Sequence, residues 1–562
     1  MMTSDWEARM TDKAPESFRD TATPQLFLRN ATGLVKGWSR FDAFVYSYMS
    51  VNFVTLGLYF SLSVLPFVAT GQVIPALIIS AIFVSFLVFS YAGLISVMPR
   101  AGGDYVWQSR LLPPGIGFVL AVTGWWFILW YWTPIYANII SIEVLQPIAA
   151  VLKSPAAITW LASNTGVFVV CAAVTILAGA MVALGMRGYA QIQKMCFYIG
   201  GLGLLIMFVI MIFTSQGRFI TAFNSAAHHL FGRQGDVYAQ TLTVAAKGNS
   251  YIAPAHLGVS PFFGQSLLLI PILCFWILYP NWGATLYGEV RGAGDFRGVL
   301  RGMMAGLWVT FAIAIVFLLL VEKTFGWQFF NAANMNYWGA VYGSNAAPTI
   351  PVWSFPPLLV SFLIPTAALR AIFLLVFATW FIGWAGTLFL SSTRVVFAAA
   401  FDRILPEKTS YVSERRHVPV WGLILMLVPS LVVSALYAYT SEFKTFVLDA
   451  VLVPAVSFFG TLIASMILPW RKRELFESSV VGRYRIAGVP VIAVTSGLAA
   501  IFLGWNIYQW LTNSTYGVNN RTSLIFMGAM YALAIAIYMI AKLVRRRQGI
   551  NLKLVYSEIP AE

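Results

Sequence analysis

The chain has 562 residues, of which 59% are hydrophobic and only 10% charged, and its mean hydropathy is +0.77. That balance describes a molecule whose solvent is mostly lipid, and it excludes a soluble enzyme. The formal charge of +15 does not mark a nucleic-acid binder, because the basic residues sit in short segments between apolar stretches and form no single patch with interleaved aromatics.

Residues 1–40 mix acids and bases without a continuous apolar core, which argues against a signal peptide and reads as a cytoplasmic arm. Twelve apolar stretches follow, each near the length of about 20 residues that a helix needs to cross hydrocarbon. They lie near 41–65, 73–98, 116–142, 166–185, 190–213, 264–290, 299–321, 366–399, 420–438, 446–469, 488–511 and 522–543, and are called spans one to twelve. The order divides the chain into five spans (41–213), a long outer connection (214–263), five more spans (264–469), two further spans (470–543) and a charged tail (544–562). The connections 214–263 and 324–365 are long enough to fold locally or act as lids. With the N-terminus inside, alternate connections carry about 28 of the 36 Lys and Arg residues on the cytoplasmic side, which predicts a multi-pass protein of the cell membrane with both termini cytoplasmic. Cys171, Cys196 and Cys274 fall within spans and read as small buried apolar residues. His228, His229, His256 and His417 have no metal-ligand spacing, so neither a metal nor a cofactor is expected.

Two spans carry signals of interruption. In span one, Asn52, Thr55 and Gly57 lie at mid-depth, where Gly loosens a helix and Asn or Thr offers the backbone competing hydrogen bonds. In span six, Tyr279-Pro280-Asn281-Trp282-Gly283 puts a residue without an N–H between apolar half-helices. Spans one and six each open a group of five, and interrupted helices at matching positions mark midplane binding sites in inverted-repeat carriers.

Four segments give a specific resemblance. Met98-Pro99-Arg100-Ala101-Gly102-Gly103-Asp104-Tyr105-Val106-Trp107 follows span two, and Gly185-Met186-Arg187-Gly188-Tyr189-Ala190-Gln191-Ile192-Gln193 precedes span five. Gly288-Glu289-Val290-Arg291 ends span six, and Ser392-Thr393-Arg394 through Asp402-Arg403-Ile404-Leu405-Pro406 follows span eight. Together they resemble the amino acid-polyamine-organocation superfamily of secondary transporters over roughly residues 40–545. The chain departs from that pattern in three places: Thr55-Leu56-Gly57 replaces a Gly-Ser-Gly type break, Tyr279 and Pro280 replace small residues, and Gly292-Ala293 stands where Asn-Pro is usual.

The resemblance implies an all-α integral membrane protein of twelve transmembrane helices in a 5+5 inverted repeat, the leucine-transporter-like fold, with helices one and six discontinuous. It implies an amino acid permease working by alternating access. The backbone around Thr55, Leu56, Gly57 and Leu58 would take the substrate carboxylate at a half-helix N-terminus. Leu278 and Tyr279 would offer carbonyls to the ammonium, with Asn281 as a side-chain contact. Ile128 and Trp132 of span three would line the pocket, Phe275 or Trp276 would gate it, and Trp384 and Thr387 are weaker candidates. A stripe of aromatics such as that of span three is otherwise core packing.

Almost no ionisable residue lies at mid-depth; Asp42, Glu143, Glu289, Arg394, Asp402 and Asp449 fall near span ends, where capping or snorkelling accounts for them. The missing counter-charge favours a neutral, apolar or aromatic amino acid over a polyamine or cationic amino acid, and Glu143 is the acid to watch for cationic substrates. The lysine that some proton-coupled relatives carry in span five is replaced by Gly200, while a sodium ion would need oxygens of the kind that Ser391 and Ser392 offer with the carbonyls of span one, although such hydroxyls more commonly bond their own backbone. Proton symport, sodium symport and exchange with a counter-substrate stay open, with a lean towards protons or exchange. The partners expected are thus a small amino acid or amine, a coupling ion and the bilayer, with no nucleic acid. A membrane enzyme, an ATP-driven pump or a channel would need motifs or charged rings that the sequence lacks. A non-transporting receptor is the remaining rival.

Overall fold

The computed structural model describes residues 34, 36–68, 71–258, 265–343, 346–444 and 448–557. Most of the predicted arm 1–40, the end of the connection 214–263 and the last five residues of the tail lie outside the described residues. Eleven described helices are long and apolar enough to cross a membrane: Val73–Val97, Pro114–Val151, Asn164–Ala183, Gly185–Phe213, Gln265–Glu289, Phe296–Thr324, Ala367–Phe401, Val420–Tyr439, Asp449–Arg471, Val491–Thr512 and Arg521–Arg547. They correspond to spans two to twelve. Span one is split into Arg40–Val51 and a wider-turned Phe53–Leu62, and neither piece has the length to cross alone.

Burial separates the centre from the rim. The most apolar window of span six is 89% buried, whereas that of span twelve is 22% buried. Span five exposes Tyr198, Leu202, Leu205, Ile206 and Val209, a row of large side chains that only a lipid solvent favours. In the centre, small residues let helices approach closely, as in membrane bundles generally. A Cβ on Gly306 of span seven would come 2.7 Å from Ser47 Oγ of span one, and one on Gly386 of span eight would come 2.2 Å from the Tyr189 ring of span five. Cys171, Cys196 and Cys274 are free and buried.

The face carrying residues 98–113, 289–296, 402–419 and 548–557 is called the near face, and the opposite one the far face. Both long connections fold locally at the far face, into Gln216–Phe231 and Val237–Thr243 in the first and Trp327–Val341 and Pro356–Ser361 in the second. They interlock: Asn336 donates to the Thr241 carbonyl at 2.9 Å, and the Tyr238 and Phe329 rings stack at 4.3 Å.

Candidate functional site

The break in span one is made by Asn52. Its backbone is left-handed (φ 39°, ψ 68°), a conformation Asn tolerates better than most residues. Its N–H donates to the Tyr48 carbonyl, ending one half-helix, and its side-chain oxygen accepts from the Thr55 N–H, starting the next. The Leu56 and Gly57 N–H groups donate to the Asn52 carbonyl at 3.0 and 3.4 Å. The N–H groups left without an intrahelical acceptor are therefore those of Phe53 and Val54. The positive end of the half-helix lies about one turn earlier than Thr55-Leu56-Gly57 suggests.

Span six runs helically over Ile270–Ile277, stops at Leu278 and resumes as a tighter 3-10 turn over Trp282–Glu289. Pro280 has no N–H, so the Trp276 carbonyl four residues earlier gains no helical partner. The two breaks touch. Ser47 donates to the Pro280 carbonyl at 2.9 Å, and the Phe53 and Trp276 rings meet edge to face at 5.4 Å.

Aromatic rings close the space around them. Trp132 lies 5.3 Å from Phe275, 6.0 Å from Tyr279 and 5.9 Å from Trp384, centroid to centroid, and Tyr136 lies 4.1 Å from Trp384. Trp132 is fixed by donating to the Ala450 carbonyl of span ten, and Trp384 by donating to the Ser50 carbonyl of span one. Tyr136 bonds to Asn52 and Thr55, and it donates to the Trp380 carbonyl at 3.2 Å. Phe275 thus faces span three, whereas Trp276 faces span one. Ile128 and Leu58 are buried in the same core.

Several buried polar atoms in this region have no partner among the described residues: the Tyr279 hydroxyl, the indole N–H groups of Trp276 and Trp282, and Thr285 Oγ1, whereas the Asn281 side chain lies near the Tyr91 hydroxyl and the Trp125 indole near Asp104. Buried polar groups are rarely left so, and each calls for an explanation. Gly57 sits against the same rings: a Cβ there would lie 2.9 Å from the Phe53 ring and 3.3 Å from Trp276. Ser391 bonds to Tyr46 of span one at 3.1 Å, Ser392 Oγ is buried without a partner, and Thr387 bonds its own backbone. Among the described residues no His, Cys, Asp and Glu cluster could hold a metal. At Gly200 the Trp380 indole donates to the backbone carbonyl, and a Cβ would lie 2.9 Å from that indole nitrogen.

The near side is closed by groups the sequence does not pair. Arg394 holds Glu289 through two bonds of 2.7 and 3.1 Å, and Arg110 holds Asp402, which also accepts from Tyr105 at 3.0 Å; all are buried. These acids are neutralised inside the protein, a different explanation from capping or snorkelling; Asp42 does cap its helix, and it meets Lys194 at 3.0 Å. The glycines of the 98–107 loop have a clear task. Gly102 donates to the Thr285 carbonyl at 2.8 Å, and at Gly103 (φ +36°) a Cβ would lie 2.6 Å from the Ala284 carbonyl oxygen. The loop therefore lies directly on the lower half of span six and places Asp104 beneath the break. Asp104 Oδ1 accepts from Tyr91 at 2.5 Å and Thr461 at 2.6 Å, the Trp125 indole lies beside the carboxyl, and burial pushes it up to about 6.

Sequence reasoning missed Tyr136, Trp282 and the Asp104 cluster as parts of this region. Tyr136 was signalled only by its place one turn beyond Trp132, and Trp282 by following the break directly.

Long apolar helices packed around two abutting helix breaks define a polytopic membrane protein. Residues 44–541 match the model of the amino acid permease family, and the chain belongs to that family, within the amino acid-polyamine-organocation superfamily. Membership of that family makes the protein a membrane transporter, and it implies an amino acid as the small-molecule cargo. No curated protein matches it significantly.

Proposed function

We propose that this permease moves neutral apolar or aromatic amino acids across the cell membrane by alternating access. The observation that carries this reading is the meeting of the two breaks among aromatic walls, with unpartnered polar atoms on Tyr279, Trp276 and Trp282. The substrate carboxylate binds at the free N–H groups of the second half of span one, including Phe53 and Val54 and extending towards Thr55, Leu56, Gly57 and Leu58. The ammonium binds at carbonyls of span six near Leu278 and Tyr279, with Asn281 beside them. The side chain lies among Ile128, Trp132 and Tyr279, and none of these wall residues is acidic, which favours a neutral amino acid over a polyamine. Phe275 and Trp276 gate the site.

Span one, with its two halves counted together, is the twelfth crossing; spans one to five and six to ten are inverted repeats, and both termini are cytoplasmic. Spans one, two, six and seven rock against the rest. Coupling is to protons, or the cycle is an exchange; Ser391 and Ser392 are the sodium alternative.

The test is thermal unfolding of purified protein with each amino acid and with putrescine and spermidine. A substrate at about 100 times its Kd stabilises by about 2.7 kcal/mol. Large neutral amino acids give the greatest rise in Tm under this reading; the greatest rise with polyamines, or none with any amino acid, contradicts it.

A further inference from the structure

Six acidic side chains are buried in or beside the helix bundle, and five have partners: Asp42 with Lys194, Asp104 with Tyr91 and Thr461, Glu289 with Arg394, Asp402 with Arg110 and Asp449 with Ser523. Glu143 is fully buried, and neither of its carboxylate oxygens has a hydrogen-bond partner among the described residues. It sits in a widened turn of span three, Ser141–Leu145, an irregularity frequent at functional sites.

Its place gives it a task. Glu143 follows Tyr136 by two turns on the same span, and Tyr136 bonds to Asn52 and Thr55 at the break in span one. Span three runs from the near face towards the far one, where Tyr59 is covered by Trp338 at 5.2 Å and Trp353 at 6.0 Å. The carboxyl therefore lies between the far-face aromatic cover and the substrate site. The titratable groups that face it are Tyr59 from span one and Tyr136 from its own span, with Tyr337, Tyr342 and Tyr437 grouped around Tyr59. Span eight, which also packs on this turn, carries Arg370 and Arg394 only towards its ends, each engaged elsewhere: Arg370 with the Ile364 and Phe362 carbonyls, Arg394 with Glu289. Lys444, which lines a cavity with Ile142 and Gln146, is held by Asn164 at 3.1 Å; among the described residues no cation forms an ion pair with Glu143, and burial without compensation strongly disfavours its charged form.

We propose that Glu143 is the proton-binding residue of the transport cycle. Its carboxylate takes one proton from water on one side when the adjoining cover opens, forming an O–H bond, and returns that proton to water on the other side after the site has turned over with its amino acid. The charged form exists only while water reaches it. This rests on the transporter reading above, and it selects protons from the coupling choices left there.

The experiment uses the full chain in proteoliposomes, with each of the twenty labelled amino acids, an imposed pH gradient and a trapped pH dye. One coupled proton and a one-unit gradient support about tenfold accumulation. Glu143→Gln is expected to reduce that to about onefold and to abolish substrate-linked proton flux, while counterflow between preloaded and external substrate persists and no longer varies with pH. Glu143→Asp, which keeps a titratable group, is expected to retain proton-driven accumulation with a shifted pH midpoint, and it carries the test if the Gln variant does not fold. Undiminished proton-driven accumulation by Glu143→Gln, or no proton-driven accumulation by a well-folded Glu143→Asp, overturns the proposal. Wild-type accumulation driven only by sodium overturns it while leaving the transporter reading intact. No transport of any amino acid by the wild type overturns both.

Discussion

Asn52 does two jobs with one residue: its left-handed backbone stops a helix, and its side chain starts another. Gly57, one turn on, is held to glycine by the rings of Phe53 and Trp276, so Gly57→Leu must push Trp276 aside and is expected to abolish uptake while folded protein remains in the membrane. Size-exclusion profile and uptake, measured together, check this; wild-type uptake would sink the assignment of the site to this break. Tyr279 meets Trp132 and Trp282 edge to face, with a free hydroxyl between them. Tyr279→Ala should therefore change the ranking of amino acids in competition assays more than it changes the yield of protein, and a loss of yield alone would mean that the ring only packs. The Glu289–Arg394 pair gives a stability test. Glu289→Ala leaves a buried guanidinium unpaired and should cost about 3–5 kcal/mol, whereas Glu289→Met with Arg394→Met should recover much of that in thermal unfolding.

At the scale of elements, the loop after span two meets span six through Gly102 and Gly103, while Asp104 ties it to spans two and ten. Burial holds the Asp104 carboxyl at about 6 against an ordinary value of 3.8, so the folded protein keeps this proton over a range where the unfolded chain has lost it. The stabilising contribution is complete below the ordinary value and is lost as pH rises through about 6. Unfolding followed from about pH 4 to about pH 7 should show roughly 1–3 kcal/mol less stability at the upper end from this group, and Asp104→Asn should flatten that slope. An unchanged slope in Asp104→Asn would contradict the assignment. What the sequence made legible follows from locality. Pro280 breaks span six by its own covalent structure, and Asn52 and Gly57 drew attention to span one because their conformational leanings are local. The exact position of that second break was less visible, since it depends on which N–H groups the Asn52 carbonyl and side chain occupy. The buried ion pairs were invisible for the opposite reason: Glu289 and Arg394 are 105 residues apart and Arg110 and Asp402 are 292 apart, so only the packed fold brings them together. Glu143 was noticed as an acid near a span end, but its isolation is a property of its surroundings.

For the whole molecule, both routes to the breaks are covered. The near route is held by two buried ion pairs and by Trp38, whose backbone pairs with Glu289 and Arg291 while its indole donates to the Met186 carbonyl. The far route lies under Tyr59, Trp338 and Trp353, with Trp353 fixed to Asn334 at 2.8 Å. A site closed on both sides suits a carrier that admits one side at a time, and it does not suit an open pore. The measurement that tests this most directly is the time course of labelled amino acid entering proteoliposomes made with wild-type protein, run beside Gly57→Leu. The account predicts saturable accumulation of a large neutral amino acid by the wild type and none by the variant; binding without accumulation, or equal uptake by both, would contradict it.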